Sequence, residues 1–228
     1  MTFDEPRRWA ELQAAEGRAA ELFAAIAGEG LIQAGRSEGE ISAAIFALAA
    51  ERFGVESHWH KRLVRAGANT VATFYDETAE ATLAADDIAF VDLGPVFEGW
   101  EADYGATYVL GDDSAKHRLT ADLDRVWDEL SGLYRADDAM TGAQLYAHAH
   151  VAAERHGWRF GGQIAGHLVG EFPHSALPGS REASVIWPKN DVRMRDPDAD
   201  GRTRYWILEV HLVEPGGRWG GFCERLLA

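Results

Sequence analysis

The sequence predicts an α+β domain built from two similar halves, and three observations carry this reading. Apolar residues fall at helical spacing in two separate blocks, one near the N-terminus and one from Leu119 onward. In each block the second helix opens with a capping box. Each block then gives way to short apolar runs broken by Gly, Asp and Asn, the pattern of strands and turns.

Taken in order, Trp9, Leu12, Leu22, Phe23 and Ile26 recur among many alanines from Arg8 to Ala27, which predicts one amphipathic helix ended by Gly28 and Gly30. Ser37-Glu-Gly-Glu40 allows each side chain to satisfy the other's free backbone N–H, and Ile41, Ile45, Phe46, Leu48 and Phe53 follow as a second helix. Residues 58 to 110 read as strands, with runs at Ile88–Val91 and Thr107–Leu110. Leu119, Leu123, Val126, Trp127, Leu130 and Leu133 restore helical spacing, and Thr141-Gly-Ala-Gln144 caps another helix reaching about His156. Strand-like runs then resume to the C-terminus. The repeated order implies a duplication, read from element order alone. Residues 175 to 203, rich in Pro, Gly, Arg and Asp, read as a long surface insertion or irregular connection. We read residues 1–228 as a single domain, with N-terminal helices over 1–57 and a core over 58–228.

Composition narrows the function. The 37 acidic residues against 22 basic ones give a formal charge of −15, which repels a phosphate backbone, and no basic patch offsets it. Nucleic acid is therefore not an expected partner. No apolar run approaches the roughly 18 residues of a membrane span, and the start Met1-Thr-Phe-Asp-Glu-Pro-Arg-Arg lacks a signal-peptide core. A lone cysteine, Cys223, fits a reducing compartment, so the expected location is the cytoplasm.

Charges inside strand-like runs carry the functional signal. Asp92 ends the run Ile88–Val91, where an isolated carboxylate would cost several kcal/mol. Asp103 follows eleven residues on, in Trp100-Glu-Ala-Asp-Tyr. A turn at Phe97-Glu98 sets Asp92 directly opposite Asp103, and like charges so placed destabilise a hairpin unless a cation sits between them. At the C-terminus, Glu209 interrupts Tyr205–Val213, and a turn between Gly216 and Gly217 sets it opposite Glu224. Each half thus carries one hairpin with facing carboxylates. Hard oxygen donors in this number suit divalent metals, and His167, flanked by Gly166 and Gly170, offers an imidazole. His174 lies within reach of the same cavity.

These residues resemble the pita-bread metallopeptidases, which include methionine aminopeptidase, aminopeptidase P, prolidase and the metal-free creatinase. The family pattern is an Asp-Leu-Gly strand, a second Asp, a Gly-His motif, another His and two late Glu. Here these are Asp92-Leu93-Gly94, Asp103, Gly166-His167, His174, Glu209 and Glu224. The resemblance runs from about residue 66 to the C-terminus. It implies a pita-bread fold with pseudo-symmetric halves around a curved antiparallel sheet, and two divalent metal ions, Mn, Co, Fe or Zn. By resemblance Asp92 and Glu224 bridge the metals, Asp103 completes one site, and His167 with Glu209 completes the other. Glu209 also shuttles the proton of a metal-bridging hydroxide, and His174 stabilises the tetrahedral intermediate.

Two departures bear on substrate. The family's substrate-contacting His falls on Phe74 here, and the Arg common after the second Asp in aminopeptidase P and prolidase is absent from Asp103-Tyr-Gly-Ala-Thr107. His58-Trp-His60 reads as a strand with both imidazoles on one face, and His60 is the candidate to enter the cavity in place of the missing histidine. His211 shares a face with Glu209. Only about 60 residues precede the matching region, so the chain is expected to be a catalytic domain without the N-terminal domain of aminopeptidase P. The expected substrate is a small peptide or amino-acid conjugate. A hydrolase or lyase on a non-peptide metabolite, a non-catalytic peptide-binding module, and a homodimer all stay open. Asp196-Pro-Asp-Ala-Asp-Gly opens like an EF-hand loop but has Ile207 where a bidentate Glu is required, so calcium binding of that kind is rejected.

Overall fold

A computed structural model describes residues 3–174, 177 and 180–227. Helix α1 spans Glu5–Gly28 and starts where the Asp4 side chain accepts from the Arg7 amide, with Pro6 in the first turn. Its buried stripe is Leu12, Ala15, Ala19, Leu22, Phe23 and Ile26. Helix α2, Glu38–Phe53, has both hydrogen bonds of the Ser37/Glu40 capping box and ends at Gly54, whose φ of 65° is the left-handed conformation a helix stop requires. Helices α3, Ser114–Ala136, and α4, Gly142–Arg155, repeat the arrangement, and the Thr141/Gln144 capping box is likewise formed on both sides.

The strands are β1 Leu63–Ala66, β2 Ile88–Leu93, β3 Val96–Phe97, β4 Trp100–Glu101, β5 Tyr104–Val109, β6 Arg159–Phe160, β7 Gly166–Val169, β8 Tyr205–Val213 and β9 Gly220–Leu227. Seven of them form one antiparallel sheet in the order β1-β2-β5-β9-β8-β6, with β7 also paired to β8. The order mirrors itself about the β5–β9 seam, because β1-β2-β5 from the first half meets β9-β8-β7 from the second. Strand alternation assigns the two faces. Leu208, Val210, Leu212 and Cys223 pack into a core with Leu119, Leu123, Val126 and Leu145 of α3 and α4. Ala89, Val91 and Leu93 pack with Leu22, Ile26, Ile41 and Ile45 of α1 and α2. Glu209, His211, Phe222, Glu224, Phe90 and Asp92 alternate with these residues and line a cavity on the other face.

Three expectations are corrected. Asp92 pairs with Gly105, not Asp103, because the β3–β4 turn is centred on Glu98-Gly99, one residue later than predicted. Both turn residues have positive φ, 53° and 85°, as the tightest hairpin turns require. Residues 58–60 are not a strand: His58 bridges Pro95 and the Trp59 amide donates to the Gly94 carbonyl, so the segment bends and its two imidazoles part. Of the connection 175–203, the described residues 177 and 180–203 form the irregular connection rather than the surface insertion of the two readings, since Ile186, Asn190 and Met194 are buried. Within it Asp198 is spent on Arg202, 3.1 Å away. No helix among the described residues is long and apolar enough to cross a membrane.

Candidate metal centre

Sheet register, not sequence proximity, gathers the acidic residues. Asp92 on β2 and Glu224 on β9 both pair with Gly105 on β5, and Glu224 pairs in turn with Glu209 on β8. Directly paired residues in antiparallel strands share a face, so three carboxylates stand in one row across the sheet with a glycine between two of them. Asp103 lies just before β5 and joins them from the end of the row. Asp92, Asp103 and Glu224 are 6%, 1% and 2% exposed, a degree of burial that unpaired carboxylates do not sustain.

Two imidazoles meet this row. His167 Nε2 lies 3.0 Å from Asp103 Oδ2, 3.5 Å from Glu224 Oε1 and 3.7 Å from Glu209 Oε1. His60 Nε2 lies 3.1 Å from Asp103 Oδ1 and 3.6 Å from Asp92 Oδ1. The donors form two sets whose atoms lie within 4.8 Å of one another: His60, Asp92 and Asp103, and Asp103, His167 and Glu224. Asp103 belongs to both sets. By resemblance the shared ligands are Asp92 and Glu224, each of which lies in one of these two sets.

Electrostatics show what the row lacks. Burial pushes the Asp92 carboxyl up to about 7 against the pull of His60, with the charge of Asp103 adding to the rise. Burial likewise lifts Glu209 to about 8, and lifts Glu224 well above the usual carboxylate range with Asp103 and Asp92 adding to it. Burial acts the same way on Asp103, but His60 and His167 overcome it and hold that carboxyl at about 2. Burial would lower both imidazoles, yet the surrounding carboxylates raise His60 to about 9 and His167 well above its ordinary value. A cluster in which three of four acids favour protons this strongly is short of positive charge, which divalent ions supply. Asp92 Oδ1 is buried without a hydrogen-bond partner, as a free ligand atom is. The residues fit divalent metal binding.

Beside the row lies a cavity of about 460 Å³, walled by Trp59, Phe74, Ile164, Leu177 and Phe222. His174 lines it, held from behind: its Nδ1 is 2.9 Å from Glu101 Oε2, and Trp59 stacks on the ring at 4.3 Å. Glu101 reaches this place because its amide donates to the Gly170 carbonyl, joining β4 to the end of β7. Sequence reasoning missed both Glu101 and Trp59. Glu101 carried a usable signal, a charge inside the apolar run that also holds Asp103. Phe74 stands in the wall 5.7 Å from the His60 ring. His211 lines the cavity but its Nε2 is 2.8 Å from the Thr70 carbonyl, and Glu214 sits at the β8–β9 turn paired with Arg218. Cys223 faces the helices, and burial pushes its thiol up to about 12, so it is a packing group.

Residues 10–197 match the sequence profile of metallopeptidase family M24. The chain belongs to this family. The match ends before Glu209 and Glu224, so the hairpin that carries them is recognised here by its register. Among solved structures of M24 type, prolidase from Thermococcus sibiricus superposes with a TM-score of 0.72 at 18% identity, covering 97% of this chain and 55% of its own. X-Pro aminopeptidase from Thermotoga maritima gives 0.73 at 19%, covering 98% and 58%. Methionine aminopeptidase from Rickettsia prowazekii gives 0.71 at 13%, covering 99% and 94%. The chain therefore spans little more than half the length of the first two and nearly all of the third, and these likenesses establish the pita-bread fold. No curated protein matches the sequence significantly.

Proposed function

We propose that this M24 chain is an aminopeptidase-like hydrolase that uses two divalent metal ions to cleave an amide bond in small peptides or amino-acid conjugates, with residues 1–228 acting as one catalytic domain. The observation that carries the reading is Asp103, a buried carboxylate that faces both sets of donors. Asp92 and Asp103 hold one ion, and Asp103, His167, Glu209 and Glu224 hold the other. When bound, such ions activate water at neutral pH and polarise the scissile carbonyl. Mn, Co, Fe and Zn all suit this mixture of carboxylate and imidazole.

The chain's own residues supply the rest. Glu209, whose carboxyl burial lifts to about 8, can accept a proton from the attacking water and return it to the leaving amine. His174, whose Nδ1 donates to Glu101, presents its Nε2 side to the cavity and, in its doubly protonated form, donates to the oxygen that becomes negative. The aromatic walls of Trp59, Phe74 and Phe222 exclude water from the reacting bond.

Asp103→Asn tests the reading. The variant is expected to lose bound metal, measured by elemental analysis, and to lose release of N-terminal residues from a varied panel of short peptides. Wild-type protein that carries no transition metal, or an Asp103→Asn variant that keeps two ions, would sink it. A second reading, a hydrolase or lyase on a small non-peptide metabolite, is favoured by Phe74, an apolar ring in the wall where the family places a polar contact. Turnover of such a compound with peptides inert would select it.

A further inference from the structure

We propose that His60 is a sixth protein ligand of the metal centre, so that each of the two ions receives one imidazole. The proposal rests on the dinuclear reading above and departs from the family pattern, in which His167 is the single imidazole.

The orientation of the ring carries the argument. His60 Nε2 faces both Asp92 Oδ1 and Asp103 Oδ1, at 3.6 and 3.1 Å. Its Nδ1 donates to the Lys61 carbonyl at 2.7 Å. His167 is held in the same way, its Nδ1 donating to the Leu168 carbonyl at 2.8 Å while Nε2 faces the carboxylates. A backbone carbonyl on Nδ1 fixes the tautomer that leaves the Nε2 lone pair free, which is how metal-ligating histidines are supported.

The surroundings are built to keep the ring there. A Cβ on Gly94 would lie 2.2 Å from His60 Cδ2 and 2.6 Å from Trp59 Nε1, so only the glycine of Asp92-Leu93-Gly94 admits both rings. Trp59 meets His60 edge-on at 4.4 Å, and its Nε1 donates to the Ala102 carbonyl, pinning the segment between the two hairpin arms. The His60 side chain is 8% exposed, and the Asp92 oxygen it approaches has no hydrogen-bond partner.

The consequence is chemical. Without His60 the Asp92 side of the centre is oxygen-only, a donor set that suits Mg or Mn and binds borderline metals less tightly. With His60 each donor set contains one nitrogen, beside two carboxylates in the His60 set and three, Glu209 included, in the His167 set. Zn, Co or Fe are then favoured at both places.

Two measurements test this. In zinc-loaded wild-type protein with two ions per chain, X-ray absorption should count one imidazole per zinc; one imidazole per two zincs overturns the proposal, and this readout needs no variant. In calorimetric zinc titrations, folded His60→Ala should bind one ion as before and the second at least roughly tenfold more weakly, since losing even an outer-shell partner costs about 10–100-fold. Two ions bound as tightly as in wild type would overturn it while leaving the dinuclear reading intact. Wild-type protein that takes up no zinc would overturn both.

Discussion

Asp92 and Glu224 lie on different strands from different halves of the chain, yet both register with the same residue, Gly105. The glycine is the empty position in a row otherwise filled by carboxylates. A Cβ there would lie 2.5 Å from Phe222 Cε1 and 3.1 Å from Glu224 Cβ, so any side chain displaces a proposed ligand or its packing partner. Gly105→Ala is expected to weaken metal binding at the centre and to cost about 1–3 kcal/mol of stability, as overpacking does. Zinc titration together with urea unfolding checks it; unchanged affinity would mean that the row tolerates a side chain between its acids.

The row also shows what the sequence could and could not reveal. The Glu209–Glu224 pairing was legible because Tyr205–Val213 and Gly220–Leu227 run without interruption into a tight turn, so counting back from Gly216-Gly217 fixes every partner. The first hairpin defeats the same count. Its turn sits at Glu98-Gly99, where Glu98 adopts φ 53°, and moving a turn centre by one residue moves every cross-strand partner by two. Asp92 and Asp103 still converge, but diagonally, and that offset leaves Asp103 between the two donor sets. His60 and Trp59 were harder to place because no local period governs their bend; contacts with Gly94 and Pro95, far along the chain, set it.

Metal removal should be visible in stability as well as activity. Ions that bind the folded chain alone stabilise it by about 2.7 kcal/mol each at a hundredfold excess over Kd. For a chain of this size that corresponds to roughly 5–10 °C in Tm per ion. Chelator treatment is expected to lower Tm by at least that amount, and added Mn, Co or Zn to restore it. A Tm indifferent to chelator would contradict a centre whose buried acids need cations.

Away from the centre, Asp122 on α3 anchors the second half. It is 2% exposed, accepts from Trp158 Nε1 at 2.9 Å and pairs with Arg125 at 2.7 Å. Burial would raise its carboxyl, but Trp158, Arg125 and His156 bring it below the ordinary aspartate value. A depressed folded pKa contributes stability above the unfolded value of about 3.9 and loses it as pH falls through the lower folded one. Asp122→Ala should cost about 1–3 kcal/mol near pH 7, largely from the buried indole N–H left without a partner. The charge-dependent part of the gap to wild type should shrink below about pH 4. Unfolding curves from pH 7 to pH 3 check both, and a gap independent of pH would remove the charge from the account.

The His174–Glu101 pair allows positioning to be separated from binding. Glu101 is buried and accepts from His174 Nδ1, while Trp59 stacks on the ring, so the imidazole has one orientation open to it. That orientation turns Nε2 toward the cavity, where a donor acts only if it is already aligned with the developing negative charge. Glu101→Ala removes the partner on Nδ1 without touching the carboxylate row or the cavity wall. If His174 acts as proposed, kcat should fall by up to about 100-fold, the scale on which losing one such donor is felt, while KM moves little. Glu101→Gln, which can still accept a hydrogen bond at that place, should recover part of the loss. A merely structural Glu101 would give a different pattern, a lower Tm in both variants with kcat of the folded fraction unchanged. Steady-state kinetics on the peptide that wild type cleaves best, read beside the melting curves of both variants, distinguishes the two outcomes.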